Sequence, residues 1–363
     1  MIKINKIGHR EEGFASIIIA LTMIVVLALL VVGFAQLARR EQQSALDKQL
    51  SAQAYYAAET GINDMRKLLD DINNGSVAAS NVQNINQNKC LTGAYIDSNK
   101  DISSTTGVSY TCAIVNTLPK ELKYTKLLAN ASKFTNFQAT DSSGTPVSLK
   151  SLTIKWVSDS ASALPPSGST LYPFAQWTAG HYPSLIQFAL TPYLSTGSSR
   201  SNLIANTATT YLYPSNTGGS VQYSDLKGAG AGTISKASCN GSFECTLTVS
   251  DIPAGSDNYL IQFINMYVAS DVTITGKYAT GPTTPDADIH FKGAQTMIDI
   301  TGRARNVLKR LQVRIPQDSL NLPSYVLEAQ NICKRVATEP NSTTYSAPSG
   351  TGDLGDSCKL ESD

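Results

Sequence analysis

Residues Phe14 to Ala38 form an unbroken uncharged, largely apolar run of 25 residues. As a helix rising ~1.5 Å per residue it spans roughly 37 Å, enough to cross a ~30 Å hydrocarbon core with some tilt. Past Arg40 the apolar positions thin out to Leu46, Leu50, Ala54, Ala58, Ile62, Met65, Leu69 and Ile72. They recur at close to the helical period, while Asp47, Lys48, Asp64, Arg66, Lys67 and Asp70 fall on other faces. Asn73-Asn74-Gly75 supplies the stop signal. The pattern therefore predicts one helix from Phe14 to about Asn73, its first half fit for lipid and its second carrying a narrow stripe. Gly33 and Gly61 lie within it and permit close backbone approach.

After Gly75 the texture switches to alternating, β-branched runs separated by turn residues. Strands are expected at Val108–Val115, Leu152–Val157, Leu185–Leu190, Leu203–Tyr213 and Cys245–Val249, with two more in Tyr259–Thr275 around a bend at Ser270-Asp271. Short helices are expected at residues 118–130 and 324–336. The fold class predicted is α+β: a long N-terminal helix, then a mostly antiparallel β body with an inserted β-sandwich. The divisions are 1–13, 14–38, 39–75, 76–315 and a tail at 316–363, with breaks inside the body near 158–169 and 280–288.

Charge removes some functions and the cysteines suggest a compartment. Lysine and arginine total 29 against 28 acids, which gives no global case for nucleic-acid binding. Only 16% of residues are charged, below the roughly 25% of ordinary globular chains. The first proline is Pro119, as a long N-terminal helix requires. Cys90, Cys112, Cys239, Cys245, Cys333 and Cys358 all follow the apolar span, without a C-x-x-C pattern. Nearness along the chain pairs them Cys90–Cys112, Cys239–Cys245 and Cys333–Cys358, placing the body outside the cytoplasm.

The short leader ending Glu12-Gly13, followed by Phe14-Ala15-Ser16-Ile17-Ile18-Ile19, resembles the class III signal of type IV prepilins. Gln49-Leu50-Ser51-Ala52-Gln53-Ala54-Tyr55-Tyr56-Ala57-Ala58-Glu59-Thr60-Gly61 is similar to the A-x-x-A-A-E-x-G segment of PilX-type minor pilins. Ile300–Ala304 and Val307–Val313 resemble the last hairpin of those proteins. The resemblance implies cleavage after Gly13 by a prepilin peptidase, a mature terminus at Phe14, and a pilin-like sheet on the helix. It implies as partners other pilin subunits, the assembly platform and membrane lipid. Before assembly the N-terminus would be cytoplasmic and the body extracytoplasmic; afterwards the chain would belong to an extracellular filament. Where major pilins place a glutamate as fifth mature residue this chain has Ile18, which points to a minor subunit, at the tip or priming assembly. The packing helix would present Ile18, Leu50, Ala54, Ala58, Glu59, Ile62 and Met65. The alternative is a single-pass surface protein, carbohydrate-binding or sensory, that enters no filament.

Motifs of catalysis are missing: there is no G-x-S-x-G, H-E-x-x-H, P-loop or dinucleotide fingerprint. The chain is expected to be no enzyme and to need no cofactor. Asp97-Ser98-Asn99-Lys100-Asp101 imitates a calcium loop but has Ile102 where glycine belongs and Val108 where the closing carboxylate belongs. Trp156 and Trp177, with Tyr172 and Tyr182, suit either core packing or a sugar platform. Arg303, Arg305, Lys309, Arg310 and Arg314 crowd five cations into twelve residues. Strand alternation puts the first three on one face and the last two on the other, for a solvated hairpin or a contact to an anionic surface or DNA.

Overall fold

A computed structural model describes residues 12–93, 101–103, 107–166, 172–194, 198–227, 233–281 and 284–317. Helix α1 (Glu12–Asn73) runs 62 residues without a break, about 93 Å at the usual rise. It ends where the sequence signals: Gly75 adopts φ +74°, its amide donates to the Ile72 carbonyl at 3.1 Å and that of Ser76 to Asp71 at 2.8 Å. Those two bonds satisfy the orphan carbonyls of the last turn, and glycine takes the left-handed conformation without a Cβ penalty.

A 3₁₀ turn (Ala79–Asn81) leads to β1 (Val82–Gln83), which pairs with β2 (Thr92–Gly93). β3 (Asp101–Ser103) and β4 (Val108–Asn116) open a second sheet. The chain then departs through β5 (Glu121–Leu127), β6 (Ser132–Thr140), β7 (Leu149–Val157), α2 (Phe174–Ala179), β8 (Leu185–Tyr193), α3 (Arg200–Asn206) and β9 (Ala208–Ser215). It continues through β10 (Ser220–Gln222), α4 (Tyr223–Leu226), β11 (Ile234–Cys239), β12 (Cys245–Ser250), β13 (Asn258–Met266) and β14 (Ser270–Tyr278). After β15 (Ala287–Asp288) and β16 (His290–Lys292) it returns as β17 (Gln295–Ala304) and β18 (Val307–Pro316).

β17 pairs with β4 and β18 in a four-stranded sheet ordered β18-β17-β4-β3. The strands from β5 to β16 form one twelve-stranded sheet, mostly antiparallel, with parallel pairs among the described residues only at β9–β11 and β10–β12. The expected insertion is there, but as one continuous sheet instead of two stacked ones. β15 pairs with β14 at one end of the strand order and β16 with β6 at the other. Ile289, wholly buried, joins these two adjacent strands, so the sheet nearly closes on itself. Inward residues from all round it, including Phe137, Ile154, Trp156, Phe188, Leu247, Ile261 and Phe291, share one core. The two sheets are tied at Gln295, whose side-chain amide exchanges two 3.1 Å hydrogen bonds with the backbone of Lys123.

Several expectations need correction. Residues 121–127 form strand β5 where a helix was expected, because antiparallel pairing with β14 buries Leu122 and Leu127. Residues 203–206 belong to α3, capped by the Ser199 hydroxyl accepting from the Asn202 amide at 3.2 Å, and the strand begins only at Ala208. The described parts of 158–169 and 280–288 connect strands of the same sheet; the passages between sheets fall at 117–120 and 293–294. The helix expected at 324–336 and nearly all of the 316–363 tail lie outside the described residues.

Candidate functional site

Most of the helix positions expected to pack, and the hairpin cations, lie where α1 meets the four-stranded sheet. Ala54, Ala57, Ala58, Gly61, Ile62, Met65 and Leu68 are buried there, a row at spacings of three and four that keeps one helix face on the sheet. Opposite them lie Tyr110, Ala113, Val115, Ile298, Ile300 and Ala304. The approach is close enough to need glycine. A Cβ built on Gly302 would fall 1.9 Å from the Ala54 carbonyl oxygen and 2.6 Å from the Ala58 amide nitrogen. One on Gly61 would fall 2.9 Å from the Tyr110 ring. The Tyr110 hydroxyl donates to Asp64 at 2.9 Å at the rim.

Of the helix positions expected to pack, Ala54, Ala58, Ile62 and Met65 are buried and Leu50 is half-buried, all on the chain's own sheet. Ala57 and Leu68 were missed, the former a small residue in register with Ala54 and Ala58 and so a signal visible in the sequence, while Gly61 makes the close approach that its place in the helix permits. Glu59 and Ile18 are exposed. The stripe is thus taken up by the chain's own sheet, where β4 and β17 cover it. Residues 17–49 of α1 are exposed throughout, and the segment is long and apolar enough to cross a membrane. Gly13 and Phe14 lie in the first turn of α1, and residues 1–11 are outside the described residues.

The hairpin cations divide differently from the alternation count. Ala304 pairs with Val307, leaving Arg305-Asn306 as a two-residue turn with Arg305 at φ +53°. The chain reverses there, so Arg303, opposite Leu308, shares the outer face with Arg310 and Arg314, while Lys309, opposite Gly302, lies on the helix side. Arg310 grips the buried carboxylate of Asp299, its Nε at 2.7 and 3.0 Å from the two oxygens. This bidentate pairing holds the guanidinium above its ordinary pKa. Arg314 pairs with Glu121 at 3.0 Å and also donates to its carbonyl at 2.9 Å, joining β18 to β5. Arg303, Arg305 and Lys309 have no acidic partner among the described residues.

Both tryptophans are core residues. Trp156 donates to the Ser184 carbonyl and Trp177 to that of Pro183, each at 2.9 Å. Trp177 stacks on Tyr267 with ring centres 4.9 Å apart, and Tyr182 and Tyr213 meet it edge-on. No indole face is open to a sugar. The disulfides Cys90–Cys112 and Cys239–Cys245 form as expected. Cys333, Cys358 and most of the calcium-like run at 97–101 fall outside the described residues. Among the described residues no group of histidine, cysteine, aspartate and glutamate side chains is arranged to hold a metal ion. No family model, curated protein or solved structure matches the chain.

Proposed function

We propose that the chain is a membrane-anchored, minor-pilin-like subunit of a type IV pilus or related filament, with structural, assembly-priming or adhesive work and no catalytic role. One observation carries this reading. A single helix has an exposed apolar first half and a second half locked by alanine and glycine onto a four-stranded antiparallel sheet, whose last hairpin closes over it. The length and hydropathy of the first half suit a membrane span before assembly and a helical filament core after it. The near-closed sheet inserted between β4 and β17 is then the outward head, carried by the smaller pilin-like sheet. The resemblance around Gly13, Phe14 and Glu59 supplies the filament part of the reading, and Ile18 supplies the minor role.

A second reading rests on a different observation. The stripe at 54–68 is consumed by the chain's own sheet, so beyond the span nothing in the helix demands a neighbouring subunit. That favours a permanently anchored surface protein. N-terminal sequencing of protein from cells bears on both. A start at Phe14 is expected for the filament subunit; an intact Met1, or cleavage beyond Ala38, would overturn that reading and promote the anchored one.

A further inference from the structure

We propose that the β17–β18 hairpin tip docks onto the anionic phospholipid headgroups of the membrane from which α1 emerges. The proposal rests on the reading of α1 as a membrane span and adds a surface that the span alone does not need. Three observations converge on it. Val307 and Ala304, flanking the turn, pack with Leu50 and Ala54, so the tip lies at the end of the body nearest the apolar run. The hairpin cations without an acidic partner among the described residues, Arg303, Arg305 and Lys309, flank that tip, Arg303 donating to the Arg305 carbonyl at 2.8 Å, whereas Arg310 and Arg314, farther along, are engaged with Asp299 and Glu121. On the outer face Leu308, opposite Arg303, is 60% exposed; on the helix side Lys309, Arg40 and Lys48 line an open groove that also holds Asp47. An exposed leucine next to cations suits the membrane–water interface, where basic side chains place their charge beside apolar groups.

The geometry permits the contact. From Ala38 to Leu50 the helix rises about 18 Å. Fitting a 37 Å run into a ~30 Å core requires a tilt of roughly 35°, which lowers Leu50 to about 15 Å above the hydrocarbon. A sheet on the downward side of the helix, with packed layers on the order of 10 Å apart, drops about a further 6 Å. The tip backbone then stands about 9 Å above the hydrocarbon, just outside a headgroup layer about 5–7 Å thick on each side, which long arginine and lysine side chains reach. Tilt in the opposite direction lifts it clear. Acids at this end are few: Glu41, Asp47 and Asp101 stand against Arg39, Arg40, Lys48 and the three tip cations. Each lysine or arginine at an anionic surface shifts such an equilibrium about fivefold, so three favour the tip-down tilt on the order of 100-fold.

The test uses the full chain reconstituted in vesicles of phosphatidylcholine alone or with 30% phosphatidylglycerol, with a quencher on the lipid headgroup. Leu308→Trp supplies the probe, and Trp156 and Trp177, both fully buried, give a constant background. The expected result is strong quenching of the position-308 fluorescence in the anionic vesicles and weak quenching in the neutral ones. High salt, and the triple variant R303E/R305E/K309E, should abolish the difference. Equal quenching in both vesicles for inserted protein, or no effect of charge reversal, overturns the proposal and leaves the anchor intact. A chain that fails to float with the vesicles overturns the anchor and the proposal together. Duplex DNA bound by the chain in neutral vesicles, and lost in the same triple variant, would assign the cations to nucleic acid instead.

Discussion

Substituting alanine for Gly302 adds one methyl group where the structure leaves no room. The added carbon would meet the Ala54 carbonyl oxygen at 1.9 Å and the Ala58 amide nitrogen at 2.6 Å, both backbone atoms of α1. No rotamer change relieves such a contact. Restoring an ordinary ~3.4 Å separation moves helix and strand apart by about 1.5 Å, and a gap of even 0.5–1 Å forfeits a quarter to a half of the dispersion energy across it. Overpacking costs about 1–3 kcal/mol, and a clash with rigid backbone belongs at the upper end. Replacing a strand glycine returns roughly 0.5–1 kcal/mol of chain entropy, so the net loss should be about 2 kcal/mol. Urea unfolding of the full chain in detergent measures it, together with hydrogen exchange of the amides from Ala54 to Leu68. Exchange there should quicken while the core of the large sheet stays protected. A second substitution, Ala58→Gly, should give no rescue, since the obstruction is not the Ala58 methyl, and as a helix glycine it should cost about 1 kcal/mol more. Unchanged or raised stability in Gly302→Ala, or full rescue by Ala58→Gly, would refute the reasoning.

Ala58→Lys should destabilise the helix–sheet seam by several kcal/mol, because Ala58 is fully buried against apolar neighbours, whereas Glu59→Ala, on the exposed face, should stay within a few tenths; paired urea titrations compare them. Removing Cys90–Cys112, which spans 22 residues, should cost roughly 3 kcal/mol by loop closure, and removing Cys239–Cys245, which spans 6, about 1 kcal/mol less; thermal melts of the double-serine variants would expose a reversed order. Burial, aided by the charge of Lys120 and opposed by Asp141 and Asp288, lowers the pKa of His290. The unfolded chain therefore binds this proton more readily, so the contribution is complete above about pH 6.5 and is lost as pH falls through the folded pKa; His290→Gln should flatten that part of the melting-temperature profile, and an identical slope would contradict it.

Local signals carried the parts of this fold that are local. Asn73-Asn74-Gly75 ended α1 where it ends, and short separations of 22 and 6 residues paired the cysteines of two disulfides. The β-branched residues from Thr207 onward drew the expected strand five residues too early, to Leu203, because the Ser199 cap of α3 was overlooked. At Glu121–Leu127 helix-forming lysines and leucines outvoted a weak alternation, and only the distant partner β14 decides for strand. The Arg305-Asn306 turn lacks the usual Asn-Gly signature, so counting alternation straight through it put Arg303 and Lys309 on one face. Closure of the large sheet depends on residues 287–292 pairing with strands far apart in sequence, which no local window contains. The seam was half visible: the small residues of α1 were plain, while Gly302, nearly 250 positions away, is what makes them necessary.

The filament reading meets its most direct test in the location of the protein. Filaments sheared from the cell surface and freed of membrane should contain the full-length β body attached to a helix beginning at Phe14, at a small fraction of the main subunit. Recovery of the chain only with membranes, and none in sheared filaments from cells that demonstrably make them, would contradict the account and leave a surface protein held by α1 alone.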